Sequence, residues 1–141
     1  MISTIAVGTD GSATAAEAVR QAADLARRLD AKLVLLSAFR DSGTALGDAA
    51  DDIELQWAVS PSARIRTILE RTAEDLGMSG IECQTRADDG DPAEVLTRLA
   101  EECGADLLVI GNKGMKRRVL GSVPNAVTHK ADCSVLVVKT T

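Results

Sequence analysis

Short apolar runs alternate along this chain with longer segments in which apolar residues recur every three or four positions. Runs such as Leu107-Leu108-Val109-Ile110 are apolar throughout, which is typical of strands that helices cover on both faces of a parallel sheet. With right-handed crossovers, this alternation predicts a three-layer, doubly wound α/β fold. Its five strands are predicted at residues 2–7, 32–38, 81–86, 106–110 and 134–139.

Four amphipathic segments between these strands carry recognisable helix ends. Ser12 is a candidate N-cap for the first helix. Ser60-Pro61 opens the second, which we expect Gly77 to close. Asp91-Pro92 opens the third, which Gly104 follows, and the fourth is predicted over residues 122–130.

The first strand is predicted to lie in the middle of the sheet, because its sequence is typical of a buried strand. This gives a parallel sheet of order 3-2-1-4-5, an arrangement similar to flavodoxin-like folds. Segment 81–86 alternates between apolar and polar residues and indicates an edge. The chain winds in opposite directions on either side of strand 1, which opens a crevice at the carboxyl ends of strands 1 and 4. Residues 41–59 form the longest irregular stretch, either a surface excursion or a lid.

Length and composition exclude several classes of protein. A chain of 141 residues suits one domain, since single domains usually run to roughly 100–200 residues, so we expect residues 1–141 to form one unit. The formal net charge of −5 argues against a general binder of nucleic acids or anionic membranes. Phe39 and Trp57 are the only aromatic residues, which removes the stacking surfaces that single-stranded nucleic acids need. Neither a membrane-spanning run nor a signal peptide is visible, which predicts a cytoplasmic protein.

The three cysteines, Cys83, Cys103 and Cys133, lack the Cys-x-x-Cys spacing of zinc or redox sites. We therefore expect them to be reduced, buried and to act as small hydrophobic residues.

Two glycine-rich turns follow the strands that border the predicted crevice. Strand 1 leads into Gly8-Thr9-Asp10-Gly11-Ser12, and strand 4 leads into Gly111-Asn112-Lys113-Gly114 and then Gly121-Ser122. Glycine there lets backbone N–H groups approach a bulky anion, and the start of a helix favours phosphate. Asp10 supplies an acceptor suited to a ribose hydroxyl or a base amino group. Four cations lie within one short stretch of this acidic chain: Lys113, Lys116, Arg117 and Arg118. Together these features predict a phosphate-containing ligand.

Each of these features also has a purely structural interpretation. The glycines and Asp10 could be turn residues, Ser122 a helix cap, and the cations a solvated loop. Other phosphate motifs are absent, since the chain has neither Gly-x4-Gly-Lys-[Ser/Thr] nor Gly-x-Gly-x-x-Gly after strand 1. A phospho-acceptor site is disfavoured, because Asp88 and Asp89 lie past the predicted third strand.

No catalytic residue and no metal ligand is assigned. His129, the single histidine, is expected on the outer side of the last helix or near its end. The sequence leaves open whether the protein is an enzyme; at most it would hydrolyse ATP slowly.

Three blocks of the sequence resemble the universal stress protein family. They are Ile5–Ser12, Gly90-Asp91-Pro92-Ala93, and a final block that runs from Gly111-Asn112-Lys113-Gly114 through Gly121-Ser122-Val123-Pro124 to Cys133–Val138. The final block is the specific one, and the similarity covers nearly the whole chain.

This resemblance implies a cytoplasmic homodimer that binds an adenine nucleotide and acts in stress response or signalling. Members of the nucleotide-binding subclass carry Gly-x2-Gly-x9-Gly-[Ser/Thr] for the ribose and phosphates, an acid after strand 1, and a main-chain contact to adenine at the end of strand 2. In this chain the implied binding residues, with their neighbours, are Gly8, Thr9, Asp10, Ala38, Gly111, Lys113, Gly114, Gly121, Ser122 and Val123.

One departure from the family pattern bears on the ligand. Only six residues, 115–120, separate Gly114 from Gly121, three fewer than in the family motif, which shortens the chain's reach by up to about 10 Å. The candidate ligands are therefore ATP, which can bind together with Mg²⁺, AMP and cyclic AMP. A nucleotide-free dimeric interaction module of the same fold is the alternative.

The last predicted strand, 134–139, gives a reason for dimerisation. It is strongly apolar, yet the strand order places it at an edge, where unpaired backbone groups invite pairing with a second copy.

Overall fold

The computed structural model describes residues 1–41, 60–112 and 120–139. Five parallel strands form one sheet of order β3-β2-β1-β4-β5, so the predicted fold class and strand order are confirmed. In chain order the elements are β1 Thr4–Gly8, α1 Ala13–Leu29, β2 Lys32–Phe39, α2 Pro61–Met78, β3 Cys83–Asp89, α3 Pro92–Glu102, β4 Leu107–Asn112, α4 Ser122–Lys130 and β5 Ser134–Lys139.

Two apolar clusters cover the two faces of the sheet. One packs α1 and α2 against alternate residues of β1, β2 and β4, such as Ile5 and Leu35. The other packs α3 and α4 against the intervening residues, such as Ala6 and Leu108. All four of these strand residues are fully buried. The uninterrupted apolar runs in the sequence therefore arise because the central strands have no solvent-facing side.

The predicted helix starts are confirmed. The side chains of Ser12, Ser60 and Asp91 accept hydrogen bonds from backbone N–H groups in the first turns of α1, α2 and α3. The predicted end of α2 is wrong, since the helix continues through Gly77 to Met78. It is Gly80 that takes the left-handed conformation, with φ +82°.

The predicted third strand needs correction as well. The strand runs over Cys83–Asp89 rather than 81–86, so Asp88 and Asp89 lie inside it and not past it. They pair with Ala38 and Phe39 at the end of β2, and the Asp88 carboxylate accepts a hydrogen bond of 2.8 Å from Arg98. Because β3 adjoins β2 and not β1, this carboxylate does not face the turn after β1 as a phospho-acceptor would need to.

The two edge strands differ in character. β3 is an edge, as its alternating sequence predicts, and it carries charged side chains: Arg86 pairs with Glu102 of α3, and Asp88 pairs with Arg98 of α3. β5 forms the other edge, where residues 135–137 are apolar and half-buried.

The cysteines are free, as predicted, but all three are half-buried rather than buried. They lie at element ends: Cys83 begins β3, Cys103 caps α3, and Cys133 directly precedes β5. Partial burial raises the pKa of the Cys83 and Cys133 thiols, which favours the unreactive thiol form.

No helix in residues 1–41, 60–112 or 120–139 is long and apolar enough to span a bilayer.

Candidate functional site

A pocket of about 380 Å³ opens at the carboxyl ends of β1 and β4, where the winding direction of the chain reverses. This is the place at which open parallel sheets of this kind hold ligands. Eight of the ten residues singled out from the sequence line it: Gly8, Thr9, Asp10, Ala38, Gly111, Gly121, Ser122 and Val123. The two distant glycine-rich segments therefore meet, as predicted, while the role of each residue in binding stays a prediction.

The other two candidates, Lys113 and Gly114, lie outside the described residues, and so do Lys116, Arg117 and Arg118. Within the described lining, Asp10 is the only residue with a charged side chain.

The turn after β1 is held by a buried polar side chain of β2. The Ser37 hydroxyl, 2% exposed, donates a hydrogen bond of 2.6 Å to the carbonyl of Thr9. The Thr9 N–H donates to the carbonyl of Leu36 at 2.9 Å, and its hydroxyl accepts from Gly11 N–H at 3.2 Å. These bonds fix the backbone from which the Asp10 side chain extends.

Asp10 shapes the same turn. Its Oδ1 accepts a hydrogen bond of 2.9 Å from the Ser12 N–H, which makes it a turn former. It also lines the pocket, so the structural and the binding interpretation of this residue are compatible.

The opposite wall of the pocket is the N-terminus of α4. Gly121 is the N-cap and has no side chain to accept a hydrogen bond from the first turn. The N–H of Asn125 donates to the Gly121 carbonyl at 2.9 Å, and Pro124 has no N–H. The N–H groups of Ser122 and Val123 have no protein acceptor in the part of the chain that the structure describes. With the Ser122 hydroxyl they form a group of three donors.

This arrangement distinguishes α4 from α1, α2 and α3, each of which uses a side-chain oxygen as its cap. A helix N-terminus carries about half a unit of positive charge from aligned peptide dipoles. At α4 neither a serine nor an aspartate cap offsets that charge. The wall is therefore suited to a bound anion.

Gly111 has a packing role that the sequence analysis did not anticipate. A Cβ at this position would lie 3.1 Å from both the carbonyl oxygen and the Cγ2 of Thr14 in the first turn of α1. Close packing on Thr14 is therefore a constraint in addition to the predicted one, close approach of a ligand to the backbone, which stays a prediction. Glycine at 111 lets α1 pack directly on the end of β4.

Several lining residues were not among the candidate binding residues from the sequence. They are Ser12, Thr14, Ala15, Ser37, Pro92, Leu96, Ile110 and Pro124. Most of them have apolar or small side chains from the strand ends and the facing helices, and such residues look like ordinary core or cap residues. A signal existed for Ser37 alone, as the one polar residue in the apolar run 33–38.

No group of three or more histidine, cysteine, aspartate or glutamate side chains is arranged for a metal ion among residues 1–41, 60–112 and 120–139. His129 is exposed near the end of α4, as predicted.

Comparison with known proteins places this geometry in a family. The family model described as "Universal stress protein family" matches residues 1–139. The universal stress protein Rv1636 of Mycobacterium tuberculosis is 37% identical over 144 aligned positions, which cover 98% of this chain and 97% of that protein.

Solved structures agree with this result. A universal stress protein in complex with cAMP has 32% sequence identity and a TM-score of 0.74, with 99% of this chain and 98% of that one covered. The universal stress protein UspA from Lactobacillus plantarum has 25% identity and a TM-score of 0.76, with 97% of both chains covered. The chain described here therefore belongs to the universal stress protein family.

Proposed function

We propose that this protein binds an adenine nucleotide in the pocket between the carboxyl ends of β1 and β4. The observation that carries the proposal is the uncapped N-terminus of α4, which opens into that pocket. The relative at 32% identity that was solved in complex with cAMP supports a ligand of this class.

The phosphate end of the ligand is assigned to α4. Two backbone N–H groups, of Ser122 and Val123, and the Ser122 hydroxyl match the oxygens of one phosphoryl group. Hydrogen bonds to a charged acceptor are roughly twice as strong as neutral ones, so this wall supplies a large part of the affinity.

The nucleoside end is assigned to the opposite wall. The Asp10 carboxylate accepts hydrogen bonds and suits a ribose hydroxyl or the amino group of adenine. Ala38, Leu96 and Ile110 give the pocket apolar surface against which a flat base can lie. A nucleotide therefore matches the pocket part by part: its flat base matches the apolar surface, its ribose matches Asp10, and its phosphate matches the N-terminus of α4.

A short phosphate chain fits best. The six-residue spacing between Gly114 and Gly121 leaves less chain to wrap a triphosphate. AMP and cyclic AMP are therefore preferred over ATP with Mg²⁺.

Thermal unfolding with and without ligand tests the proposal. A ligand at about 100 times its dissociation constant stabilises the native state by about 2.7 kcal/mol, which raises the melting temperature measurably. We expect an increase with AMP or cyclic AMP and none with inorganic phosphate at the same concentration. Mass analysis of small molecules released from freshly purified, denatured protein identifies the native ligand.

Absence of any shift with ATP, ADP, AMP and cyclic AMP would contradict nucleotide binding. It would favour a nucleotide-free interaction module of the same fold, with which the shortened spacing before Gly121 also agrees.

We also propose that the protein forms a homodimer through β5. This strand is an edge with apolar residues Val135, Leu136 and Val137, whereas the β3 edge carries charged side chains that pair with α3. Antiparallel pairing with a second copy would satisfy the free backbone groups of β5.

The substitution Val137→Pro tests this assembly, because proline removes a backbone donor and disfavours strand pairing. We expect monomers in sedimentation velocity, where wild type sediments as a dimer. A Val137→Pro protein that stays dimeric would show that another surface is used.

A further inference from the structure

Asn112 is the last residue of β4, and its side chain is completely buried. Its Oδ1 accepts a hydrogen bond of 2.7 Å from the backbone N–H of Gly121. This bond joins the end of β4 directly to the N-cap of α4, across nine positions of sequence. Gly121 lines the pocket, and Asn112 directly follows Gly111, which also lines it.

A buried amide at this position calls for an explanation. Asn112 points to the same face of the sheet as Ile110, two residues earlier, which belongs to the apolar cluster under α3 and α4. Burial of a polar side chain costs free energy unless it is hydrogen-bonded, and an apolar residue would satisfy the core at no such cost. The bond to Gly121 compensates for that cost, and it does so at the pocket.

The same bond determines which donors of α4 remain for a ligand. Asn112 occupies the Gly121 N–H, and Pro124 has none, so the N–H groups of Ser122 and Val123 are left between them. Those two groups, with the Ser122 hydroxyl, are the donors already assigned to one phosphoryl group.

We propose that Asn112 is a positioning residue for the phosphoryl group of a nucleoside monophosphate or cyclic nucleotide. It does not contact the ligand; it holds Gly121, and so orients the following N–H groups toward the pocket. This inference rests on the proposed nucleotide binding, and it predicts that Asn112 contributes to phosphate recognition but not to recognition of the nucleoside.

Affinities for AMP and for adenosine, measured by calorimetry, separate these two contributions. We expect Asn112→Ala to weaken AMP binding by about tenfold, because charge-assisted hydrogen bonds depend on donor geometry, and to leave adenosine binding within about twofold. The side chain of serine is one atom shorter than that of asparagine and cannot reach Gly121 in the same way. The AMP affinity of Asn112→Ser should therefore lie between those of wild type and Asn112→Ala. Asn125→Ala, an exposed asparagine of α4 outside the pocket, is the matched control and should change neither affinity.

The outcomes separate the two proposals. If wild type binds neither AMP nor adenosine, the proposed function is wrong and this inference is wrong with it. If wild type binds AMP more tightly than adenosine and Asn112→Ala keeps that preference, only the positioning role is wrong. Equal loss of both ligands would show a general structural role instead.

Amide hydrogen exchange on the wild-type protein gives a test that needs no variant. Without ligand, the Gly121 N–H should exchange slowly, while those of Ser122 and Val123 exchange fast, and AMP should slow the latter two. Fast exchange at Gly121 in the free protein would overturn the proposal, because the bond to Asn112 would then not persist in solution.

Discussion

The two ends of the sheet treat their polar groups in opposite ways. At the amino end, the Asp106 carboxylate accepts hydrogen bonds from the Ser3 N–H at 2.8 Å, the Ser3 hydroxyl at 3.0 Å and the Thr4 N–H at 3.0 Å. At the carboxyl end, the N–H groups of Ser122 and Val123 find no protein acceptor within the described residues. One end satisfies its donors with its own side chain, and the other leaves donors open inside a pocket.

This difference agrees with the proposed binding site at the carboxyl end of the sheet. The first N–H groups of any helix lack partners within the helix, and at α4 they face a concave site, where an anion can accept from them. At the amino end, the bonds to Asp106 join β1 to the start of β4.

The largest expected effect comes from a substitution at the carboxyl end of the sheet, where β4 packs directly on α1. Gly111→Val places side-chain atoms against the Thr14 carbonyl, which is backbone and cannot rotate away, so we expect the free energy of unfolding to fall by about 1–3 kcal/mol. Urea denaturation measures it. Gly77→Ala, near the amino end, is the control: nothing lies within 4 Å of its added Cβ, and in a helix it should raise stability by about 0.5–1 kcal/mol. If the two substitutions changed the free energy of unfolding equally, close packing on Thr14 would not be the reason for glycine at position 111.

A smaller effect is expected when one open donor is removed. Ser122→Ala deletes one hydroxyl of the three-donor group, and loss of one hydrogen bond of about 1 kcal/mol corresponds to about fivefold weaker AMP binding. Adenosine binding should not change, and neither should stability, because Ser122 does not cap α4. Calorimetric titration of AMP measures the change, and unchanged AMP affinity would remove the hydroxyl from the proposed site.

The smallest effect concerns the closed end and depends on pH. Hydrogen bonds from Ser3 and Thr4 lower the pKa of Asp106 from its ordinary value of 3.8. Since the folded pKa lies below the unfolded one, the stabilisation is fully present above pH 3.8 and is lost as the pH falls through the lowered value. Asp106→Asn should therefore flatten the decrease in stability in this acidic range and leave nucleotide affinity at neutral pH unchanged.

Denaturation curves at neutral and acidic pH measure this effect. Asp88→Asn is a useful second variant, because its ion-pair partner Arg98 also lowers the pKa of Asp88, so it acts in the same pH range from the β3 edge. A change in AMP affinity caused by Asp106→Asn would show that the amino end of the sheet also contributes to ligand binding, which contradicts this comparison.

Most of the fold can be predicted from the sequence, because buried central strands have to be apolar throughout. The order 3-2-1-4-5 and the capped starts of α1, α2 and α3 follow from such patterns. The errors concentrate at strand ends. β3 continues to Asp89, which pairs with Phe39 at the end of β2, and Arg98 binds Asp88; neither contact is visible in a local pattern.

The site is only partly predictable. Glycines and hydroxyls that follow two strands can be recognised, and the fold then brings them together at one pocket. Ser37 stands out as the polar residue of an apolar run, but its hydrogen bond to Thr9 and that of Asn112 to Gly121 could not be foreseen, because both reach backbone atoms elsewhere in the fold. Gly111 was expected at the pocket, which it lines, but its close packing on Thr14 was not foreseen.

Pro124 has a consequence for the proposed nucleotide site. A proline at the third position of α4 leaves the N–H groups of Ser122 and Val123 as the open backbone donors of the first turn, which match one phosphoryl group. In the proposed site, these donors would bind one phosphoryl group whether the ligand carries one, two or three phosphates. Discrimination between one, two and three phosphates must then come from elsewhere in the chain, and the cations at Lys113, Lys116, Arg117 and Arg118 are the nearest in sequence.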